Sequence, residues 1–215
     1  MQMRCSLVRG LACGYHVSSQ GAQELSKGRL EAFSDGVIAV IITIMVLELQ
    51  APRGATLADL RPKIPVFLSY VLSFIFVGIY WNNHHHLLHA ISKVNGRVLW
   101  ANLHLLFWLS LIPFATDWMG VNRWATVPVA VYGCLLFLAA TAYTILAFEL
   151  IAVEGKNSTL ARAIGRDYKG KTSLALYGAA IPLAFVDSRI SMALYILVAC
   201  IWFIPDRRIE KVVAE

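Results

Sequence analysis

The sequence predicts an all-α membrane protein with six transmembrane helices, and three observations predict it. Of 215 residues, 58% are hydrophobic and only 15% charged; the mean hydropathy is +0.63; and the apolar residues gather into runs separated by short polar joints. A bilayer core about 30 Å thick takes about 20 apolar residues per helical span. A soluble domain of this length has no use for so much apolar surface. The net charge of +6 does not point to nucleic acid, because the basic residues lie between apolar runs, where they orient helices. Cys5, Cys13, Cys134 and Cys200 show no CxxC spacing, so no disulfide framework or zinc knuckle is implied.

Residues 1–28 carry Arg4, Arg9 and a short apolar run broken by Gly14 and His16, too weak for a signal-peptide core; they read as a mobile cytoplasmic tail. The membrane domain follows over 29–205, with expected spans at 30–50, 64–89, 97–119, 125–153, 171–187 and 189–205. The joints are turn signals: Ala51-Pro52-Arg53-Gly54, Asn95-Gly96, Asn122-Arg123, the polar stretch from Glu154 to Lys171, and Asp187-Ser188-Arg189. The last two spans are short and closely joined, so they read as a hairpin. Residues 206–215 read as a second cytoplasmic tail. Cytoplasmic loops are enriched in Lys and Arg. With the N-terminus inside, only Arg53, Arg61, Lys63, Arg123 and Arg189 of the 19 Lys and Arg residues fall outside. The expectation is a multi-pass protein of the cell membrane with both termini cytoplasmic.

Polar groups in or near a span are costly, which makes their positions informative. One cluster, Arg29-Leu30-Glu31-Ala32-Phe33-Ser34-Asp35-Gly36, opens the first span. Ser34 and Asp35 can cap a helix start and favour its positive dipole end. Alternatively Arg29, which shares a face with Phe33, reaches a carboxylate or carbonyl on a neighbouring helix. The second cluster, Tyr80-Trp81-Asn82-Asn83-His84-His85-His86-Leu87-Leu88-His89, ends the second span and by the charge count lies at the same inner face. His85 and His89 have the i, i+4 spacing that zinc sites use, but no further ligand pair accompanies them; no metal site is assigned. Trp81 and Tyr80 serve equally as interface anchors, and a buried His84 bonded to Arg29 or Asp35 is the sharper reading.

Together, Arg29-x-x-x-Phe33-Ser34-Asp35 in span one and Trp81-x-x-His84 in span two resemble the endosomal and lysosomal potassium channels called transmembrane protein 175. Asn102-Leu103 and Leu111-Ile112-Pro113-Phe114 fit as well, and the resemblance covers about residues 29–205. Animal members carry two six-span repeats per chain; this chain has one, as bacterial members do. The resemblance implies a homotetramer in which helix one of each subunit lines a central pore, with potassium as the permeant ion and no cofactor. Helical periodicity places Gly36, Val40, Thr43 and Leu47 on one stripe, with Ile38, Ile41, Met45 and Leu49 pointing to neighbours; taken alone, that stripe also suits an ordinary buried helix. By position after Phe-Ser-Asp, Val40 matches the family's isoleucine or leucine constriction and Thr43 its conserved threonine. The resemblance makes Arg29, Phe33, Ser34, Asp35, Trp81 and His84 a structural polar network that holds the pore helix.

The sequence therefore favours a potassium-selective channel that conducts passively through an apolar constriction, with proton permeability compatible. A proton-coupled or cation transporter using Asp35 and His84 is the alternative, since membrane-buried ionisable groups, here with Glu48, His104 and Glu149, mark proton relays. No pair of broken helices or inverted repeat supports it. An enzyme is not expected: no nucleophile with its base, paired carboxylates or closed metal set emerges.

Overall fold

The computed structural model describes residues 19–155, 158–165 and 167–203. Helix α1 (Ser19–Leu47) leads through a short α2 (Leu57–Leu60) and a 3-10 turn (Arg61–Lys63) into α3 (Ile64–His89). Then come α4 (Gly96–Ser110), α5 (Ile112–Val121) and α6 (Thr126–Glu154). A small α7 (Thr159–Ile164) precedes the hairpin of α8 (Tyr168–Leu183) and α9 (Ser188–Phe203). Helix α1 begins well ahead of residue 29, where the membrane domain was expected to start, so part of the expected tail is helical. Residues 1–18 and the expected tail at 206–215 lie outside the described residues.

Local chemistry sets the joints. The Asn95 side chain accepts from the Val98 N–H at 3.0 Å and caps α4. Pro113 has no N–H to give and its ring crowds the carbonyl four residues earlier, so the third span breaks at Leu111 into α4 and α5. Gly155 ends α6 with φ of 102°, a conformation that costs a residue without Cβ little. The Asp167 carboxylate accepts from Gly170 N–H at 3.0 Å and opens α8.

Four helical segments are long and apolar enough to cross a membrane: Lys27–Leu47, Leu57–His89, Gly96–Val121 and Thr126–Glu154. Helices α8 and α9 have 16 residues each, about 24 Å at 1.5 Å per residue. That is less than the about 30 Å of a bilayer core. Of the six expected spans, four therefore meet the length of a full crossing in the described residues.

The helices alternate in direction. The start of α1, the end of α3, the start of α4 and the end of α6 share what is called here the proximal end; the α8–α9 turn lies at the distal end. Helix α1 packs on α3, α4 and α5, α4 on α6, and α6 on α8, while α9 closes against α8, α6 and α3. Side-chain hydrogen bonds pin this packing where water is excluded. The Thr116 and Ser73 hydroxyls are bonded at 2.7 Å, Ser73 and Tyr132 are bonded at 2.9 Å, and the Trp124 indole donates to Ser69 at 2.9 Å. Tyr195 donates across to the Val129 carbonyl at 3.1 Å. It reaches there because Gly133 lies beneath its ring: a Cβ on Gly133 would run into the Tyr195 hydroxyl.

Candidate functional site

Helix α1 has two faces of opposite burial. Ile38, Ile41 and Met45 are buried at 1%, 3% and 2% exposure. Gly36, Val40, Thr43 and Leu47 are all exposed on the single subunit, Val40 at 54% and Leu47 at 77%. Thr43 turns its hydroxyl back to the Val40 carbonyl at 2.9 Å, which leaves the oxygen lone pairs on the exposed face. Only 28% of the α1 span is buried, against 39%, 50% and 39% for the other three long spans, so it is the least covered of the four.

Below this face, three helices meet through one directed chain of hydrogen bonds. Ser34 on α1, His84 on α3 and Asn102 on α4 are buried at 0%, 1% and 0% exposure. Ser34 Oγ lies 2.8 Å from the Leu30 carbonyl, which can only accept, so the hydroxyl proton points there. Ser34 Oγ must then accept from Asn102 Nδ2, at 2.9 Å. This turns Asn102 Oδ1 toward His84 Nε2 at 2.7 Å and requires that nitrogen to carry a proton. The chain thus runs from His84 to Asn102 to Ser34 to Leu30.

A second tie stands beside the first. The Trp81 indole N–H donates to Asp35 Oδ1 at 3.0 Å, joining α3 to α1 one turn from the His84 contact. His84 was expected to bond Arg29 or Asp35; instead Asn102 holds it and Trp81 takes the carboxylate. The physical reason is placement. Asn102 is buried where α1, α3 and α4 converge, whereas Arg29 and Phe33 are exposed, pointing out of the subunit. Lys27 Nζ donates to the His89 carbonyl at 3.2 Å and closes the proximal end.

His85 and His89 form a stack with Trp81, and His86 sits edge-on to His85. His85 lies between Trp81 at 6.0 Å and His89 at 5.9 Å, with ring planes 25° and 20° apart. Near-parallel rings do not aim their nitrogens at a common point, as a chelating pair must. The ionisable residues weighed for a relay scatter as well. Glu48 is exposed just past α1, at the distal end, and His104 is exposed on α4, accepting from the Trp108 indole at 2.9 Å. Of the five, Asp35 and His84 alone share one cluster. Glu31 adds a carboxylate oxygen, Oε1, that is buried without a hydrogen-bond partner. Sequence reasoning gave Asn102 no role in the network; a single amide inside the run Leu99-Trp100-Ala101-Asn102-Leu103 was the signal that could have found it.

The sequence profile of the family described as endosomal/lysosomal potassium channel TMEM175 matches residues 29–113, which hold the exposed α1 stripe and all four residues of the hydrogen-bonded chain. A potassium channel of Chryseobacterium sp. (strain P1-3) is 56% identical over 191 residues, covering 89% of this chain and 100% of that one. The endosomal/lysosomal proton channel TMEM175 of Homo sapiens is 30% identical over 199 residues, which are 80% of this chain and 39% of the human protein. The crystal structure of a lysosomal potassium-selective channel TMEM175 homolog from Chamaesiphon minutus superposes with a TM-score of 0.74 at 24% identity, over 85% of this chain and 98% of that one; it shares the fold. By the length and identity of the Chryseobacterium match above all, the chain belongs to the TMEM175 family, a family of ion channels and not of enzymes.

Proposed function

We propose that this protein is a potassium-selective channel in which four copies of the chain surround a central pore lined by α1. The observation that carries the reading is the uncovered α1 face of Gly36, Val40, Thr43 and Leu47 on the least buried of the long spans. The stripe covers three turns, about 16 Å, and four copies would present rings of glycine, valine, threonine and leucine along the ion path. An apolar ring supplies no oxygen to replace the ion's water, so it gates by dewetting and favours the cation that deforms its hydration shell more readily. Potassium meets that condition better than sodium. Val40 forms the narrow ring in this reading, and Thr43 offers hydroxyl oxygens to a partly hydrated ion one turn further on. Potassium is the permeant species and no cofactor takes part.

The proximal hydrogen bonds then hold the pore helix against its own subunit without touching the ion. Ser34 anchors through Asn102 and His84, and Asp35 through Trp81, while Arg29 and Phe33 face the neighbouring copies. In this reading α8 and α9 also cross, which makes six spans within 29–205. Two further crossings or a hairpin dipping into one leaflet both return the chain to its starting side, so the charge bias puts both termini in the cytoplasm of a cell-membrane protein either way. A proton-coupled transporter using Asp35 and His84 is less well supported, because both side chains are already committed to structural partners.

The test is purified protein in liposomes under a potassium gradient, with a pH-sensitive dye inside and parallel bilayer recording. Single-channel currents with potassium preferred over sodium are expected, and the dye reports any proton permeability of the same pore. Saturable exchange without unitary currents would sink the channel reading in favour of the carrier.

A further inference from the structure

We propose that a groove between α3 and α9 holds one acyl chain of a membrane phospholipid, with its phosphate bound by Arg189. The groove has a volume of about 620 Å³. Leu68 and Ile75 of α3 form one wall and Met192 and Ile196 of α9 the other, while Trp124 and Arg189 stand at the distal end. Arg189 is the one charged residue among the described residues that line it.

Length fits first. From Leu68 to Ile75 the α3 wall runs about 10 Å, and from Arg189 to Phe203 the α9 wall runs about 21 Å. One leaflet's share of a bilayer core is about 15 Å, between the two. Charge fits second. Arg189 is exposed, at the first turn of α9, and the Asp187 carboxylate nearby accepts the backbone N–H of Arg189 at 2.9 Å. The guanidinium fork is built to take phosphate oxygens in pairs. A second copy of the chain closing over the groove would bury that guanidinium against an otherwise uncharged lining, with only the Asp187 carboxylate at the start of α9 to offset it, which is an unfavourable way to cover an arginine. A lipid brings the counter-charge with it. Position fits third. The Trp124 indole is fixed by its bond to Ser69 beside Arg189, and an amphipathic ring next to a basic side chain is the pairing that membrane proteins place at headgroup depth.

The experiment uses the full chain, purified in mild detergent and read by native mass spectrometry with added phosphatidylglycerol or phosphatidylcholine of matched acyl chains. We expect one phospholipid held per chain, phosphatidylglycerol in preference. R189Q should weaken its retention about tenfold, the loss of one charge-assisted contact, and R189K should restore part of it. A193W, which fills the groove from the α9 wall, should abolish retention of both lipids. A photo-crosslinking residue at Ala193 should yield a phospholipid adduct. A cross-link to a second subunit instead, or retention untouched by R189Q, overturns the proposal. R189Q alters an exposed side chain and the crosslinker reads the native groove, so the outcome stands even if A193W does not fold.

Discussion

Replacing Asn102 with leucine tests the hydrogen-bonded chain at its hub. Leucine has the same branched skeleton as asparagine and no polar atom, so the shape of the side chain between α1, α3 and α4 is matched while both of its side-chain bonds, 2.9 Å to Ser34 and 2.7 Å to His84, are lost. Ser34 keeps its donation to the Leu30 carbonyl; the group left without a partner is the His84 N–H, in a side chain 1% exposed. An orphaned buried donor costs about 1–3 kcal/mol. Interhelical bonds in membrane proteins average about 0.6 and reach about 1.7 kcal/mol, because the reference state finds partners too. Two lost bonds therefore amount to about 2 kcal/mol. At about 2–4 °C per kcal/mol for a chain of this size, N102L should melt about 4–8 °C below the parent when followed by size-exclusion in detergent. S34A removes one of the same two bonds, so S34A/N102L should cost less than the two single changes added, by about 0.6–1.7 kcal/mol. Ser34 lies about 9 Å along the helix from Val40, so open probability should fall while the preference for potassium over sodium stays. A melting point within about 1 °C of the parent, or costs that add in full, would refute the chain as a unit.

Four further single substitutions separate the two faces of α1 and probe the packing of the bundle. V40N should raise unitary conductance and weaken potassium preference with little change in melting, because Val40 is 54% exposed in the subunit; I38N, at a position 1% exposed, should lower the yield of folded protein, and equal damage from both would place Val40 in the core. G133A drives a methyl group into the Tyr195 hydroxyl and should cost about 1–3 kcal/mol. G133A/Y195F should recover part of that in the same melting assay, since it removes the clashing oxygen. The Glu154 carboxylate at the end of α6 accepts from the Lys93 N–H at 2.9 Å and from the Ser92 hydroxyl at 3.1 Å. E154Q should therefore cost about 1 kcal/mol and speed amide hydrogen exchange in the α3–α4 joint, leaving exchange in α9 unchanged.

The sequence made the spans legible where the signal is local. The expected 64–89 and 125–153 fall within a residue of α3 and α6 at each end, because length, hydropathy and flanking turn residues act on the chain one segment at a time. Helix α1 starts earlier than expected for the opposite reason. Ser19 to Gly28 is rich in polar helix formers such as Gln20, Gln23, Glu24 and Lys27, which continue a helix without adding to an apolar run. The split of α1 into buried and exposed faces followed from a period of 3.6 residues, and Ile38, Ile41 and Met45 point inward as that period demands. The partners of the polar residues did not follow. Ser34 and Asn102 lie 68 residues apart, and Trp81 and Asp35 lie 46 apart. Which of several amides or carboxylates a side chain meets across such distances depends on the rotation of each helix within the bundle, and no spacing rule reads that from one chain. Gly133 is a case of the same limit: nothing marks Val131-Tyr132-Gly133 out within its apolar span, yet Tyr132 bonds Ser73 and Gly133 makes room for Tyr195.

The motif that opens the first span takes its meaning from this division. Phe33, Ser34 and Asp35 are consecutive, so a helix must point them in three directions about 100° apart. Ser34 turns inward to α4, Asp35 sideways to α3 and Phe33 outward, 53% exposed. Two of the three are fixed by hydrogen bonds to different helices, and two fixed bearings on a rigid rod set its rotation. With that rotation set, residues one to three turns further along have no choice of face. Gly36, Val40, Thr43 and Leu47 are delivered to the open side, and Ile38, Ile41 and Met45 to the core. In the proposed channel, two polar side chains at the foot of an otherwise apolar helix thereby decide which side chains an ion would meet, without standing in the ion's path themselves.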